Sequence, residues 1–216
     1  MSPEYPCEKA LLALPCYRGW NYTNSIKVAK MIITHQREKL INAIIYFAKS
    51  TKYCGKIKIL KLLSELDFEH FKQTGRSITG LDYSAWSMGP VPSGLFKEFS
   101  GEMRPDLEQA IKISPVGGLQ QIVPKKQFNS KYFTKREKKL LSDLVEIFRD
   151  ATADQMKDSS HRKDGPWDRA VKEKGLQQPI DYFMTLDDSK DSLSQDEAAE
   201  RVRERKEMYQ VFGVQQ

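Results

Sequence analysis

The stretch KIKILKLLSELDFEHFKQT, residues 56–74, decides the reading of this chain. Apolar side chains stand at Ile57, Ile59, Leu60, Leu62, Leu63, Leu66, Phe68 and Phe71. They cover nearly the whole circumference of a 3.6-residue helix rather than one stripe, which predicts a central helix packed on several sides. Gly75 follows where a left-handed residue ends helices.

Upstream, Leu40, Ile41, Ile44, Ile45 and Ala48 fall at helical spacing within residues 37–49, with basic residues opposite, and residues 51–55 break the pattern. Downstream, Leu81, Tyr83 and Ala85 alternate with Asp82, Ser84 and Trp86. That predicts a short strand over 81–88, closed by a turn at Gly89–Pro90. A short helix is expected over 92–100, with Pro92 in its first turn and Gly101 after its end. Residues 110–116 and 119–124 flank Gly117–Gly118 and read as a tight hairpin. Pro115 and Pro124 cannot donate ladder hydrogen bonds, so these are edge strands.

Thr134 and Glu137 make a capping box. Leu140, Leu141, Leu144, Val145, Ile147, Phe148 and Ala151 then carry an apolar stripe, which predicts a helix to about Met156. The turn-rich SSHRKDGPW, residues 159–167, leads into a helix over 167–174. Ser194 and Glu197 form a second capping box and open a last helix towards Phe212, after an acidic stretch over 187–200. The expected class is α+β: a mainly α-helical single domain with a small antiparallel sheet or hairpin. Its expected organisation is an N-terminal extension over 1–33, a domain over 34–182, and an acidic linker with the C-terminal helix over 183–216.

The 216 residues suffice to bury a core without metal or disulfide staples. No apolar run approaches the ~20 residues of a membrane-spanning helix. Cys7, Cys16 and Cys54 contain no C-x-x-C pair and cannot close a disulfide framework, which favours a reduced, cytoplasmic compartment. In the first thirty residues, Ala10–Leu14 is too short for a signal-peptide core, and Glu4 and Glu8 spoil its basic start. A second start at Met31 directly precedes the patterned chain, so residues 1–30 are expected to be a flexible extension or an upstream-start artefact.

Histidines limit the chemistry. His35 is expected at the solvent-exposed start, and His70 to make a helix-surface hydrogen bond or ion pair. With Asp67 at i−3 it supplies only two metal ligands. His161 reads as a turn residue. Phosphate-binding glycine loops, the nucleophile elbow and zinc-binding H-E-x-x-H are all missing from the sequence. The expectation is therefore a protein that is not an enzyme, with no cofactor and no metal.

The net charge of +6 is unevenly spread. Residues 35–61 hold Arg37, Lys39, Lys49, Lys52, Lys56, Lys58 and Lys61 against Glu38 alone. Residues 125–139 hold seven basic residues against Glu137, interleaved with Phe128, Tyr132 and Phe133. Such runs are read first as solvated surface, next as a face for an acidic protein, and only then as a nucleic-acid surface, since no DNA-reading motif accompanies them.

Residues 56–99 resemble the opening of the Panacea domain, the SocA-like, phage-associated antitoxin family. Three pieces carry this: K-I-L-K-L-L running into Asp67, the segment TGRSITGLDYSAW with Tyr83 and Trp86, and the turn at Gly89, Pro90 and Val91. Farther on, His161, Pro166 and Trp167 match the family's Ser-x-His and Pro-Trp region, so the resemblance spans about 35–180. Ser64 departs from it, standing where the family commonly has an aromatic ring.

The resemblance implies a cytoplasmic antitoxin of a toxin–antitoxin system that neutralises a cognate toxin by direct binding. It also implies an alternative, an adaptor handing its partner to a cellular protease; the basic runs suggest a third reading, a nucleic-acid-binding regulator. No membrane partner is expected. The partner-binding residues it points to are Asp67, Tyr83, Trp86, Gly89, Pro90, Val91, His161 and Trp167, with Lys56, Lys58 and Lys61 as a basic rim. Trp86 is further expected to pack partly on the 56–74 helix.

Overall fold

The computed structural model describes residues 31–215. The expectation for residues 1–30 lies outside the described residues. In chain order the elements are β1 (Ile32–Ile33), α1 (Gln36–Ser50), α2 (Lys56–Thr74), β2 (Ser84–Trp86), β3 (Gly89–Val91), α3 (Ser93–Ser100) and α4 (Pro105–Ala110). Then follow β4 (Ile111–Val116), β5 (Leu119–Pro124), α5 (Lys135–Phe148), α6 (Ala153–Ser160), α7 (Pro166–Lys174), α8 (Gln195–Phe212) and β6 (Val214–Gln215). The described residues are 57% helical with small two-stranded sheets, as the α+β reading expects. β2 pairs with β3 and β4 with β5, both antiparallel, while β1 and β6 form a short parallel pair.

α2 is the axis of the molecule. It packs against α1, α5, α6, α8, β3, β5 and the 3₁₀ turn Tyr182–Thr185. Ile59, Leu60, Leu62, Leu63 and Leu66 are fully enclosed in the main core with α1, α4 and α5. Farther along the same helix, Phe68 joins Tyr83, Ala85, Ala170 and Ile180, and Phe71 joins Leu186 and Ala198. Each such aliphatic or aromatic burial contributes roughly 1.5–3 kcal/mol. The helix stops at Gly75, which adopts φ 70° and donates to the Phe71 carbonyl.

Two lysines of α2 lie inside this packing. Lys58 is fully buried, and its ammonium donates to the carbonyls of Lys52 at 2.7 Å, Ala151 at 2.7 Å and Arg149 at 3.2 Å. Those acceptors satisfy all three donors of an ammonium. They also explain why α5 ends at Phe148 and does not run on to Met156. The carbonyls after its last turn are taken by Lys58 and by the Lys52 backbone N–H, and Thr152–Gln155 opens α6 with a capping box of its own.

The turn between β2 and β3 is Ser87–Met88, not Gly89–Pro90. Gly89 pairs with Trp86 and Pro90 with Ala85. The Ala85 amide donates to the Gln178 carbonyl, and its own carbonyl accepts from Gln177. Ala85 therefore asks no hydrogen bond of Pro90, and the missing N–H of proline costs nothing there. Pro92 serves as the N-cap of α3 rather than lying in its first turn. The β4–β5 hairpin turns through Gly117 and Gly118 at φ 59° and 81°, as a glycine pair allows. α4, which leads directly into β4, is the helix that residue patterning missed.

Candidate functional site

The motif residues converge on one face of Gly89. Gly89 sits at φ 99°, and a Cβ added there would collide with Lys61 Nζ and fall 2.6 Å from Ser160 Oγ and 3.2 Å from His161 Nε2. α2 thus supplies Lys61, the end of α6 supplies Ser160 and His161, and β3 supplies a backbone with no side chain. His161 stacks on Trp167 at 3.8 Å with the rings 9° from parallel. Trp167 Nε1 in turn donates to the Trp86 carbonyl at 2.7 Å. Trp86 packs on the main core with its ring edge-on to Phe96 at 5.0 Å. Pro90 and Val91 are buried behind it.

The electrostatics of this cluster are unusual. Lys61 is 1% exposed, and its one hydrogen bond, to the Pro90 carbonyl, is long at 3.4 Å. Burial pulls its ammonium down to about 7, against the attraction of nearby Glu65. Glu65 itself is pushed up by burial. His161 is held below its ordinary value by burial and by Lys61 and Lys157, and its buried Nε2 has no partner. Lysine, serine and histidine are here pressed together, with Lys61 and Ser160 buried and His161 partly exposed beside them.

The basic rim expected at Lys58 and Lys61 is therefore overturned. Both ammonium groups point into the fold, because α2 is enclosed on every side and the backbone carbonyls there accept from them. Lys56 is partly exposed and donates to the Phe99 carbonyl. The remaining positive charge of that run is also occupied. Arg37 bridges Glu98 and Asp106, Lys39 bridges Glu137, and Lys52 bridges Asp150. The aromatics of the second basic run turn inward as well: Phe133 is buried, and Phe128 packs between Tyr46 and Phe133.

Asp67 and Tyr83 form a second buried junction. The Asp67 carboxylate accepts from Tyr83 Oη at 2.8 Å, from the amides of Ile78 and Thr79 at 2.7 and 2.8 Å, and from the Thr79 hydroxyl. Burial pushes the carboxyl up while these donors oppose it. The arrangement pins residues 78–83 onto α2. His70 is not a surface residue. It is 1% exposed, its ring donates to the Arg76 carbonyl at 2.7 Å, and burial pulls it down to about 4, so it is neutral near pH 7. Among the described residues no group of three or more His, Cys, Asp or Glu side chains is placed to hold a metal.

A surface groove of about 520 Å³ lies between the α1–α2 loop, β5 and the start of α6. Tyr53, Ile57, Leu119 and Ala153 line it, with Lys56 and Lys58 along one side. Tyr53 and Leu119 are 51% and 53% exposed, and Val116 stands at the hairpin tip beside Leu119, 45% exposed. Sequence patterning passed over this surface. The apolar pair flanking Gly117–Gly118 was its one legible sign, since Tyr53 owes its outward position to a left-handed backbone at φ 53°.

No curated protein and no solved structure matches the chain. The family model for the antitoxin SocA-like, Panacea domain matches residues 59–168, from the second turn of α2 to the first turn of α7. That match takes in Lys61, Asp67, Tyr83, Trp86, Gly89, Pro90, Val91, His161 and Trp167, and with it the chain belongs to the SocA-like antitoxin family with a Panacea domain.

Proposed function

We propose that this protein is the antitoxin of a toxin–antitoxin pair and neutralises its toxin by direct protein–protein binding, in the cytoplasm and without catalysis. Family membership supports the antitoxin role. The single observation that carries the mode of action is the groove at Tyr53 and Leu119. Exposed aromatic and aliphatic side chains surround a concavity of about 520 Å³, room for several side chains, the form that buried anchors of a partner require. The Lys61–Gly89–His161 cluster and the Asp67–Tyr83 junction are read as the frame that holds this surface. They lock β2–β3, α6 and α7 onto α2 from within.

The test is co-expression with the product of the neighbouring open reading frame. Growth rescue by the wild-type chain, lost in Tyr53→Glu and Leu119→Glu, is the expected result. Full rescue by both variants would remove the groove from the interface. Co-purification of the two proteins separates sequestration from delivery to a protease, which would instead lower the toxin's half-life.

A further inference from the structure

A second pocket, of about 460 Å³, lies where α8 folds back over the end of α2 and meets the start of α1. It shares no lining residue with the groove. The 15-residue α1, about 22 Å long, separates the two. Two arginines, Arg76 from the loop after α2 and Arg205 from α8, line it. Neither forms an ion pair among the described residues. Arg205 has one bond, from Nη1 to the Gly75 carbonyl at 3.1 Å. Burial lowers its pKa, and the neighbouring Arg76 charge adds to that. Arg205 is half-buried beside the exposed Arg76, and like charges placed so without a paired carboxylate are unfavourable unless an anion completes them.

The other charges of the pocket are already balanced. Lys39 donates to Glu137 at 2.6 Å, and the second oxygen of Glu137 is taken by the Thr134 amide at 2.7 Å. His35 contacts Glu38 at 3.4 Å at the rim. What is left is a positive site of two arginines. The Thr34 hydroxyl is buried there without a hydrogen-bond partner, and the rings of His35 and Tyr132 lie 5.3 Å apart on one wall. Paired guanidinium forks match phosphate oxygens. Aromatic walls take a planar base, and the volume suits a small ligand. We propose that this pocket binds a mononucleotide, its phosphates on Arg76 and Arg205 and its base against the His35–Tyr132 wall.

Calorimetry on the full chain at low salt tests this with ADP, GDP, adenosine and inorganic phosphate as probes. Saturable binding of ADP or GDP is expected, at least about tenfold tighter than adenosine or inorganic phosphate. Arg76→Gln, at an exposed position, should weaken it about tenfold with an unchanged melting temperature. Arg205→Lys, which keeps the charge and loses the fork, should weaken it as well. Absence of saturable heat from either nucleotide, or wild-type affinity in both variants, would overturn the proposal. Inorganic phosphate binding as tightly as ADP would also overturn it, reducing the pocket to an anion hole.

Discussion

Replacing Gly89 with alanine adds one methyl group where the motif residues meet. Two costs follow from the geometry. The backbone is at φ 99°, a region in which a side chain is strained by roughly 1–2 kcal/mol. The new Cβ also overlaps Lys61 Nζ and Ser160 Oγ, both buried, and overpacking of this kind costs about 1–3 kcal/mol. Gly89→Ala should therefore destabilise the fold by about 2–5 kcal/mol, which for a chain of this size lowers Tm by roughly 5–20 °C. Urea denaturation followed by circular dichroism measures it. The same substitution in a Lys61→Ala background should cost less, because the flexible ammonium is the nearest obstacle, and the difference is the coupling between the two sites. A cost below about 0.5 kcal/mol for Gly89→Ala, or strict additivity with Lys61→Ala, would refute the convergence of these residues.

Lys61 also sets a pH dependence. Its folded value near 7 lies below its ordinary value, so the unfolded chain binds more protons between about pH 7 and 10. Stability should rise with pH through that window, and Lys61→Met should flatten the rise in parallel denaturation curves. Lys58→Met leaves the Lys52 and Ala151 carbonyls without their donor and should cost about 1–3 kcal/mol, with hydrogen exchange accelerated first around residues 149–155. Asp67→Asn removes the charge that organises Ile78, Thr79 and Tyr83, and should cost about 2–4 kcal/mol by thermal denaturation while loosening the 75–83 loop.

The helical frame was legible because its signals are local. The apolar girdle of α2, the glycine at its end, the capping boxes at Thr134 and Ser194, and the Gly117–Gly118 turn each act through neighbours in sequence. The break after Phe148 carried a local sign too, the Thr152–Gln155 box, but the apolar stripe continuing to Ala151 masked it. Lys58 and Lys61 misled for a different reason. A lysine reads as surface charge, and only the carbonyls of Arg149, Ala151 and Pro90, brought in from distant parts of the chain, give its ammonium a buried place. His70 went inward as well, where the chain turning back after Gly75 brings the Arg76 carbonyl onto its ring. Gly89 was recognised as a special position, yet for a turn rather than for the close approach of Lys61 and Ser160, which no spacing along the chain reveals.

Toxin capture in the Tyr53–Leu119 groove is tested by titrating the purified product of the neighbouring reading frame against this protein. The measurement compares the wild-type chain with Leu119→Glu, whose melting temperature should be unchanged because the side chain is 53% exposed. The expected result is a saturable complex for the wild type and at least about 30-fold weaker binding for the variant, as loss of a buried anchor requires. Equal affinities for the two chains, or no complex with the wild type, would contradict it.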